Sequence, residues 1–458
     1  MLESCLTFEP YFSEFEDYSF FDSRENSVYV FGHEFKSRSE MEKLKNYVMS
    51  RLWFTYRKNF RPIGGTGPTS DQGWGCMLRC GQMLLAQALI VLHLGPNWIW
   101  NREKKEEDYK KILRMFQDDK NALYSLHQIA QMGVSEKKEV GEWFGPNTVA
   151  QVLKKLTVYD DWSKLAVHVA LDNLLIESDV EIVACSKPPK LAKNELPGEK
   201  ATFSSTDTGR ENRGQSQIIF LVLDPSAFQV ENSKFSEDGD SGGNRLWRPL
   251  LIIVPLRLGL TTINRCYLPA IQEFFRLPQC AGIIGGRPNH ALYFIGIGDE
   301  EMVYLDPHVC QPFINLSDEV YDPKKESAPD AHPDSEKGSL TDILFDPKEE
   351  CSTNELPTEV FDDTSYHCPC LLHVSYSSMD PSLALAFICP TKEDYEDLST
   401  CLREKVLKAS VPPIFEILKK RPAGFPEFVP YVGENAKLQD YTELNDSHDS
   451  FDEFEMLE

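Results

Sequence analysis

Apolar residues recur at helical spacing in six segments of the chain. Residues at i, i+3 or i+4 line one face of an α-helix. On this pattern the sequence predicts helices over residues 41–57, 77–94, 108–115, 123–130, 149–156 and 393–407. The prediction for residues 77–94 is the strongest, because this segment is rich in Met, Leu, Ala and Gln and lies between Gly75 and Gly95.

Shorter apolar runs predict strands, most of them in the second half of the chain. The predicted strands are residues 28–31, 165–171, 181–184, 250–256, 282–284, 292–297, 302–305 and 384–389. These strands and the helices follow one another without regular alternation, which favours an α+β fold around one sheet.

Charge is concentrated in three segments of the 458-residue chain, which has 47 Lys+Arg, 72 Asp+Glu and a net charge of −25. Residues 1–22 hold six acids and no base, residues 317–363 fifteen acids and four bases, and residues 434–458 nine acids and one base. The rest of the chain is neutral. We therefore predict an acidic mobile arm (1–22), an acidic insert (317–363) and an acidic tail (434–458).

A second insert is predicted at residues 186–246, which are rich in Ser, Lys, Asn, Gly and Pro. The apolar run 218–223 inside it is either an extra strand or a piece that the core does not need. Together these boundaries predict one folded domain, residues 23–433, with two low-complexity inserts.

The neutral body with its acidic segments argues against nucleic acid as the main ligand, because phosphate contacts need a dense Lys/Arg surface, and against an acidic membrane surface. The longest apolar runs are far shorter than the ~18 residues of a membrane helix. A secretory or transit leader would require basic residues near the N-terminus, but no base precedes Arg24. Twelve unevenly spaced cysteines are typical of reduced thiols. We expect a cytoplasmic protein.

Cys76 is the first candidate for chemistry. It follows Gly73-Trp74-Gly75 and directly precedes the predicted helix, so it lies where a helix N-terminus lowers the pKa of a thiol. Its own N–H group is placed to stabilise an oxyanion. The alternative is a small buried core residue.

Asp306-Pro307-His308 is the second candidate and follows the predicted strand 302–305. In an extended chain, residues i and i+2 face the same side. A carboxylate beside a histidine orients the ring and favours its protonated form, as an acid–base partner of a thiolate requires. The alternative is an ordinary Asp-Pro turn. Together with Cys76 this pair predicts a Cys–His–Asp hydrolase, because triad members meet only in the fold.

Other cysteines and glycines have simpler interpretations. Cys76 and Cys80 lack a second pair for zinc, and the group at residues 367–373 (His-Cys-Pro-Cys with His373) lacks a partner cluster, so core or turn is favoured for both. Cys310 is interpreted as a packing residue. The glycine-rich loops 64–67 and 285–289 lack the Lys-Ser/Thr of a phosphate loop and are read as mobile loops near the site. We expect neither a metal nor a cofactor.

The tail contains an aromatic and an aliphatic residue, Phe454 and Leu457, separated by two residues and preceded by acids. Such a segment in extended form adds a strand to the edge of a partner's sheet and fills two pockets. The pattern is short and also arises by chance.

Five blocks in this order resemble the autophagin cysteine proteases, the autophagy-related protein 4 family. They are residues 51–57, 64–70, 73–79, 143–148 and 304–308, within a match from about residue 28 to residue 407 that the two inserts interrupt. The short N-terminus is similar to that of the shorter members. The resemblance implies a papain-like fold with a small helical extension.

The resemblance also implies roles for individual residues. Cys76 would be the nucleophile, His308 the acid–base group, Asp306 its orienting partner and Tyr56 an oxyanion donor. Trp143 would cover the cleft, and a loop that lifts for the substrate would comprise Gly285, Gly286, Arg287, Pro288 and Asn289. Cys80 would be a redox switch, and Phe454 and Leu457 the modifier-interacting motif.

The function so implied is cleavage of ubiquitin-like autophagy modifiers (GABARAP-type) after their C-terminal glycine, in precursors and in phosphatidylethanolamine conjugates. We expect a monomer that contacts membranes only through its lipidated substrate. The alternatives are a deubiquitinase-like thiol peptidase and a modifier-binding scaffold with a degenerate site.

Overall fold

The structure is a computed structural model that describes residues 27–36, 38–104, 106–186, 246–316 and 361–433. The predicted arm 1–22, the run 218–223, nearly all of both inserts and the tail with Phe454 and Leu457 lie outside these residues. Eight α-helices occur within them: α1 Met41–Met49, α2 Cys76–His93, α3 Glu107–Met115, α4 Leu126–Met132, α5 Pro146–Leu156, α6 Glu177–Cys185, α7 Leu268–Arg276 and α8 Lys392–Cys401.

The described residues also form thirteen short strands. These are β1 Val28–Val30, β2 His33–Phe35, β3 Tyr56–Lys58, β4 Ala166–Val169, β5 Leu174–Ile176, β6 Leu250–Arg257, β7 Cys280–Gly285, β8 Leu292–Gly298, β9 Glu301–Leu305, β10 Cys310–Pro312, β11 Leu372–Ser375, β12 Ser382–Cys389 and β13 Glu416–Leu418.

Nine of these strands form the main sheet, in the order β11-β9-β8-β7-β12-β6-β4, with β1 paired to β8 and β2 paired to β1. The pairs are antiparallel except β4 with β6. Strands β7 and β12 are buried along almost their whole length, because elements cover both faces of the sheet. The predicted α+β fold is confirmed.

The central helix α2 packs against β7 and β8 and forms the middle of the core. Every residue from Cys76 to Ile90 is buried. Its length and apolar composition would also suit a membrane span, but 83% of it is buried inside the described fold, which is the environment of a core helix.

Two predicted elements are wrong. The helix predicted over 41–57 ends at Met49, and Tyr56–Lys58 is a strand, because residues 56–58 pair with β10 instead of continuing the helix. Residues 181–184 belong to α6, which buries Val180, Val183 and Ala184 on one face. Helix α7 was not predicted.

Candidate active site

The end of β9 meets the start of α2 at the site. Asp306 and His308 follow β9 directly, and the next strand, β10, pairs in parallel with β3, with Cys310 opposite Tyr56. The backbone N–H of Tyr56 donates a hydrogen bond to the carbonyl of Pro307 at 2.8 Å. This pairing places Tyr56 beside His308.

His308 is held by Asp306 through two hydrogen bonds. Nδ1 of the ring lies 2.5 Å from Oδ1 of Asp306, and the backbone N–H of His308 donates to the same oxygen at 2.9 Å. Burial alone would lower the pKa of His308. The Asp306 hydrogen bond and charge, together with the Cys76 thiol, outweigh burial and raise this pKa to about 9. The ring is therefore protonated at neutral pH.

Cys76 is the first residue of α2, and its side chain is fully buried. Burial raises the pKa of the thiol, but the hydrogen bond and charge of His308, the backbone N–H of Ala291 and the Tyr56 hydroxyl together lower it below its ordinary value. Nε2 of His308 is buried and has no well-aligned hydrogen-bond partner in the described residues, so that edge of the ring is left for the thiol. The arrangement can hold a thiolate–imidazolium pair.

Tyr56 stands edge-on to His308, with the ring centroids 5.6 Å apart and the planes at 82°. Its hydroxyl is buried and makes no well-formed hydrogen bond within the described part of the chain. Burial, followed by the negative charge of Cys76 and Asp71, raises the pKa of the phenol far above its ordinary value. The hydroxyl therefore stays protonated and can donate a hydrogen bond to an oxyanion.

The predicted loop, residues 285–289, returns close to Ala291. Gly285 and Gly286 are buried, whereas Arg287, Pro288 and Asn289 are exposed. Gly286 has φ +141°, and a Cβ there would lie 2.4 Å from the Cα of Ala291. Only glycine therefore lets the loop return so closely to Ala291, whose N–H group acts on the Cys76 thiol.

Residues 41–401 match the Peptidase C54 catalytic domain. The chain belongs to the peptidase C54 family. Cysteine protease ATG4B of Xenopus laevis is 38% identical over 448 residues, which are 97% of this chain and 96% of that protein. Cysteine protease ATG4A is 36% identical over 459 residues in Mus musculus (99% and 96%) and 37% identical over 465 residues in Homo sapiens (100% of both).

These matches confirm the family resemblance. The chain is a cysteine peptidase, and it belongs to the autophagy proteases that process Atg8-type modifiers. The individual residue roles that the resemblance implies stay predictions, as do the domain boundaries.

Trp143 of this C54 protease lies in the connection that leads into α5. Its side chain is half-buried, and its indole nitrogen is buried without a hydrogen-bond partner among the described residues. The neighbouring Phe144 is fully buried and anchors the connection in the core. The covering of the cleft by Trp143 stays a prediction.

Cys80 lies one helical turn after Cys76 and is fully buried. Burial, followed by the negative charge of Cys76 and Asp306, raises the pKa of its thiol well above the ordinary value. A protonated and buried thiol reacts slowly with oxidants. The redox role of Cys80 stays a prediction.

The zinc alternative receives no support. Among the residues that the structure describes, no group of three or more His, Cys, Asp or Glu side chains is placed to hold a metal ion. The ring nitrogens of His367 lie 2.8 Å from the carbonyl of Met49 and 2.8 Å from the hydroxyl of Tyr109. Both are thus engaged within the protein.

Sequence reasoning missed three contributors to the site: Ala291, Asp71 and Trp53, whose indole N–H donates to the backbone carbonyl of Asp306. Ala291 acts through its backbone, which no sequence pattern reveals. Asp71 binds Arg79, a buried arginine in a helix of mostly apolar residues. A charged residue in that position requires a buried partner, so Arg79 was the available signal.

Proposed function

We propose that this C54 protease cleaves ubiquitin-like autophagy modifiers after their C-terminal glycine, both in precursors and in phosphatidylethanolamine conjugates. The observation that carries the proposal is the Asp306–His308 pair, 2.5 Å apart, beside a thiol whose pKa is lowered. Both bonds are amides of the same glycine, so a single acyl-transfer site serves both reactions.

The reaction begins when the Cys76 thiolate attacks the glycine carbonyl carbon. The resulting oxyanion accepts hydrogen bonds from the backbone N–H of Cys76 and the hydroxyl of Tyr56. His308 then gives its proton to the leaving amine, the C–N bond breaks and a thioester remains. Water attacks the thioester, His308 accepts a proton from that water, and the thiolate departs.

Selectivity for glycine follows from a narrow channel. Trp143 and the loop of Gly285–Asn289 form its walls in this proposal, and a larger side chain would clash with them. The positive φ of Gly286 and of Asn289 (+62°) gives the loop a fixed turn at its base and at its tip.

The folded body of the modifier needs a docking surface besides the channel. Leu260 is 79% exposed in the turn after β6. Leu258 donates its N–H to Pro381, and Gly286 donates its N–H to Ser382, so this turn lies beside the base of the loop. An exposed leucine at this position suits an apolar patch on the modifier.

The remaining parts of the proposal concern the setting. The modifier is of the GABARAP type, and Phe454 and Leu457 of the tail give it a second attachment point. The enzyme acts as a cytoplasmic monomer and meets membranes through its lipidated substrate.

Purified full-length enzyme should remove a C-terminal extension from a recombinant modifier and release the modifier from liposomes that carry the conjugate. Cys76→Ala should do neither. Undiminished cleavage by Cys76→Ala would overturn the assignment, and cleavage of precursors without release from liposomes would overturn the delipidating half. Cleavage of ubiquitin fusions alone would favour a deubiquitinase, and absence of reaction with a modifier vinyl-sulfone probe would favour a scaffold.

A further inference from the structure

A buried ionic chain lies directly behind the start of α2. The Nε of Arg79 donates to Oδ2 of Asp71 at 2.8 Å, and its two terminal nitrogens donate to the oxygens of Asp118 at 2.8 and 3.1 Å. All three side chains are at most 3% exposed. Replacing such a network with apolar residues often costs no stability, so its contribution is better sought in geometry.

Asp71 also contacts the strand that carries Tyr56. Its Oδ1 accepts the backbone N–H of Arg57, the residue after Tyr56, at 2.6 Å. Its backbone carbonyl accepts the N–H of Gly75, the residue before Cys76, at 2.8 Å. A single buried aspartate therefore joins β3 to the start of α2.

Asp71 is tightly packed where it connects β3 to the start of α2. A Cβ on Gly75 would lie 2.4 Å from Oδ2 of Asp71, so only glycine allows the carboxylate to rest against the residue that precedes Cys76. The charge of Asp71 also reaches the buried phenol of Tyr56 and helps to raise its pKa. Both effects favour a protonated hydroxyl in a fixed position.

We infer that Asp71 is a positioning residue that sets the separation between the Tyr56 hydroxyl and the Cys76 backbone N–H, through Arg57 on one side and Arg79 on the other. This inference rests on the proposed roles of Tyr56 and Cys76 in holding the oxyanion. Asp71 is fully buried and does not contact the substrate, so it acts only through Tyr56 and Cys76. Without it, the two donors no longer converge on one oxygen, so the transition state is weakened while substrate binding is kept.

A double-mutant cycle tests the coupling. A misplacement of about 1 Å costs on the order of 10²-fold in rate, so Asp71→Asn should lower kcat by roughly that factor and leave KM for the modifier nearly unchanged. In a Tyr56→Phe background the same change should cost less than about threefold, because the donor it positions is already absent. Independent, multiplicative losses would overturn the inference.

A matched control separates positioning from stability. Asp160 is another buried carboxylate, which accepts hydrogen bonds from the hydroxyls of Tyr124 (2.8 Å) and Ser163 (2.5 Å) and does not join β3 to α2. Asp160→Asn should lower Tm, keep the kcat of the folded enzyme and combine multiplicatively with Tyr56→Phe. An equal loss of kcat in Asp160→Asn would mean that any buried acid has this effect, which would overturn the inference.

Two further variants apply if Asp71→Asn does not fold. Gly75→Ala pushes the carboxylate away, and Arg79→Lys keeps the charge but loses the fork that binds Asp71 and Asp118 together. Both should lower kcat without raising KM, and both should be coupled to Tyr56→Phe. If both retain the wild-type kcat, the inference fails.

Alkylation of Cys76 by iodoacetamide distinguishes this inference from the proposed function, because it needs no modifier. The Asp71 variant should lose far less alkylation rate than kcat, because His308 lowers the pKa of the Cys76 thiol more than Tyr56 does and is untouched. A fall in alkylation parallel to kcat would overturn the positioning role. If Cys76→Ala still cleaves, the proposed function itself fails. If Cys76→Ala is inactive and the cycle is multiplicative, only the role of Asp71 fails.

Discussion

The indole nitrogen of Trp53 donates a hydrogen bond to the backbone carbonyl of Asp306 at 2.6 Å. Trp53 is 6% exposed, and its own backbone N–H donates to the carbonyl of Tyr366 at 2.8 Å. The backbone of Asp306, whose carboxylate contacts His308, is thus held by a tryptophan that is fixed in the core.

Trp53→Phe removes this donor and leaves the Asp306 carbonyl unpaired. We expect the free energy of unfolding to fall by ~1–3 kcal/mol, the usual cost of an unsatisfied buried group. The kcat should fall as well, because Asp306 loses its support. Trp100→Phe is the matched control, since it removes an indole donor to Asp363 (2.9 Å) outside the catalytic group. Trp100→Phe should lower Tm without lowering kcat. Equal losses of kcat in both variants would contradict the prediction.

The sequence could single out Cys76 and the Asp306-x-His308 pair as candidates, because each depends on a few neighbouring residues. A thiol before a helix and two side chains on one face of an extended segment are local arrangements. Trp53 and Asp306 are 253 residues apart, and their contact depends on how the sheet closes. No local pattern reveals such a pair.

The wrong helix over 41–57 has the same cause. Its apolar spacing is helical, but the pairing of β3 with β10 decides the conformation of Tyr56. Without that pairing Tyr56 would not stand beside His308. The tertiary contact that overrode the helical pattern is therefore the one that builds the site.

The pH dependence of the enzyme should follow the Cys76–His308 pair. The thiolate exists above the lowered pKa of Cys76, and the imidazolium exists below the pKa of His308, about 9. Activity should therefore persist below the ~8.5 of an ordinary thiol and decline above about pH 9 as His308 loses its proton. The kcat/KM for modifier cleavage, measured from pH 5 to 10, checks both limbs. A rate that rises steadily to pH 10 would contradict the ion pair.

Asp306→Asn should move the basic limb of that profile to lower pH. The aspartate raises the pKa of His308 by its hydrogen bond and charge, and asparagine lacks the charge. The rate at the optimum should also fall by on the order of 10²- to 10⁴-fold, because the ring is no longer held in its productive orientation and the imidazolium loses its counter-charge. Glu301→Gln is a control, since Glu301 contacts His373 (2.8 Å) and not His308. A basic limb that stays in place in Asp306→Asn would refute the prediction.

Gly286→Ala should impair catalysis through the loop. The new methyl group would meet Ala291 at a backbone φ of +141°, which displaces the N–H that acts on the thiol. We expect kcat to fall on the order of tenfold or more, from this displacement and from strain of ~1–3 kcal/mol. Gly424→Ala is the control, because it has φ +94° and no atom within 4 Å of the new Cβ. If both variants behave alike, backbone strain alone explains the effect.

Leu260→Ala should weaken recognition of the folded modifier and leave the chemistry intact. The side chain is 79% exposed beside the base of the loop. Loss of a leucine from a buried interface costs roughly 1.5–3 kcal/mol, so KM for the modifier should rise by about tenfold or more at unchanged kcat.

A short peptide ester that carries only the modifier's C-terminal residues lacks the folded body that Leu260 is proposed to contact, so its hydrolysis should be the same in Leu260→Ala and wild type. Val411 is 87% exposed in the segment between α8 and β13, and Val411→Ala provides the matched removal of an exposed apolar side chain. Val411→Ala should change neither the KM for the modifier nor the KM for the peptide ester. A rise in KM for the peptide ester in Leu260→Ala would place the effect in the catalytic cleft, because the ester contacts nothing else.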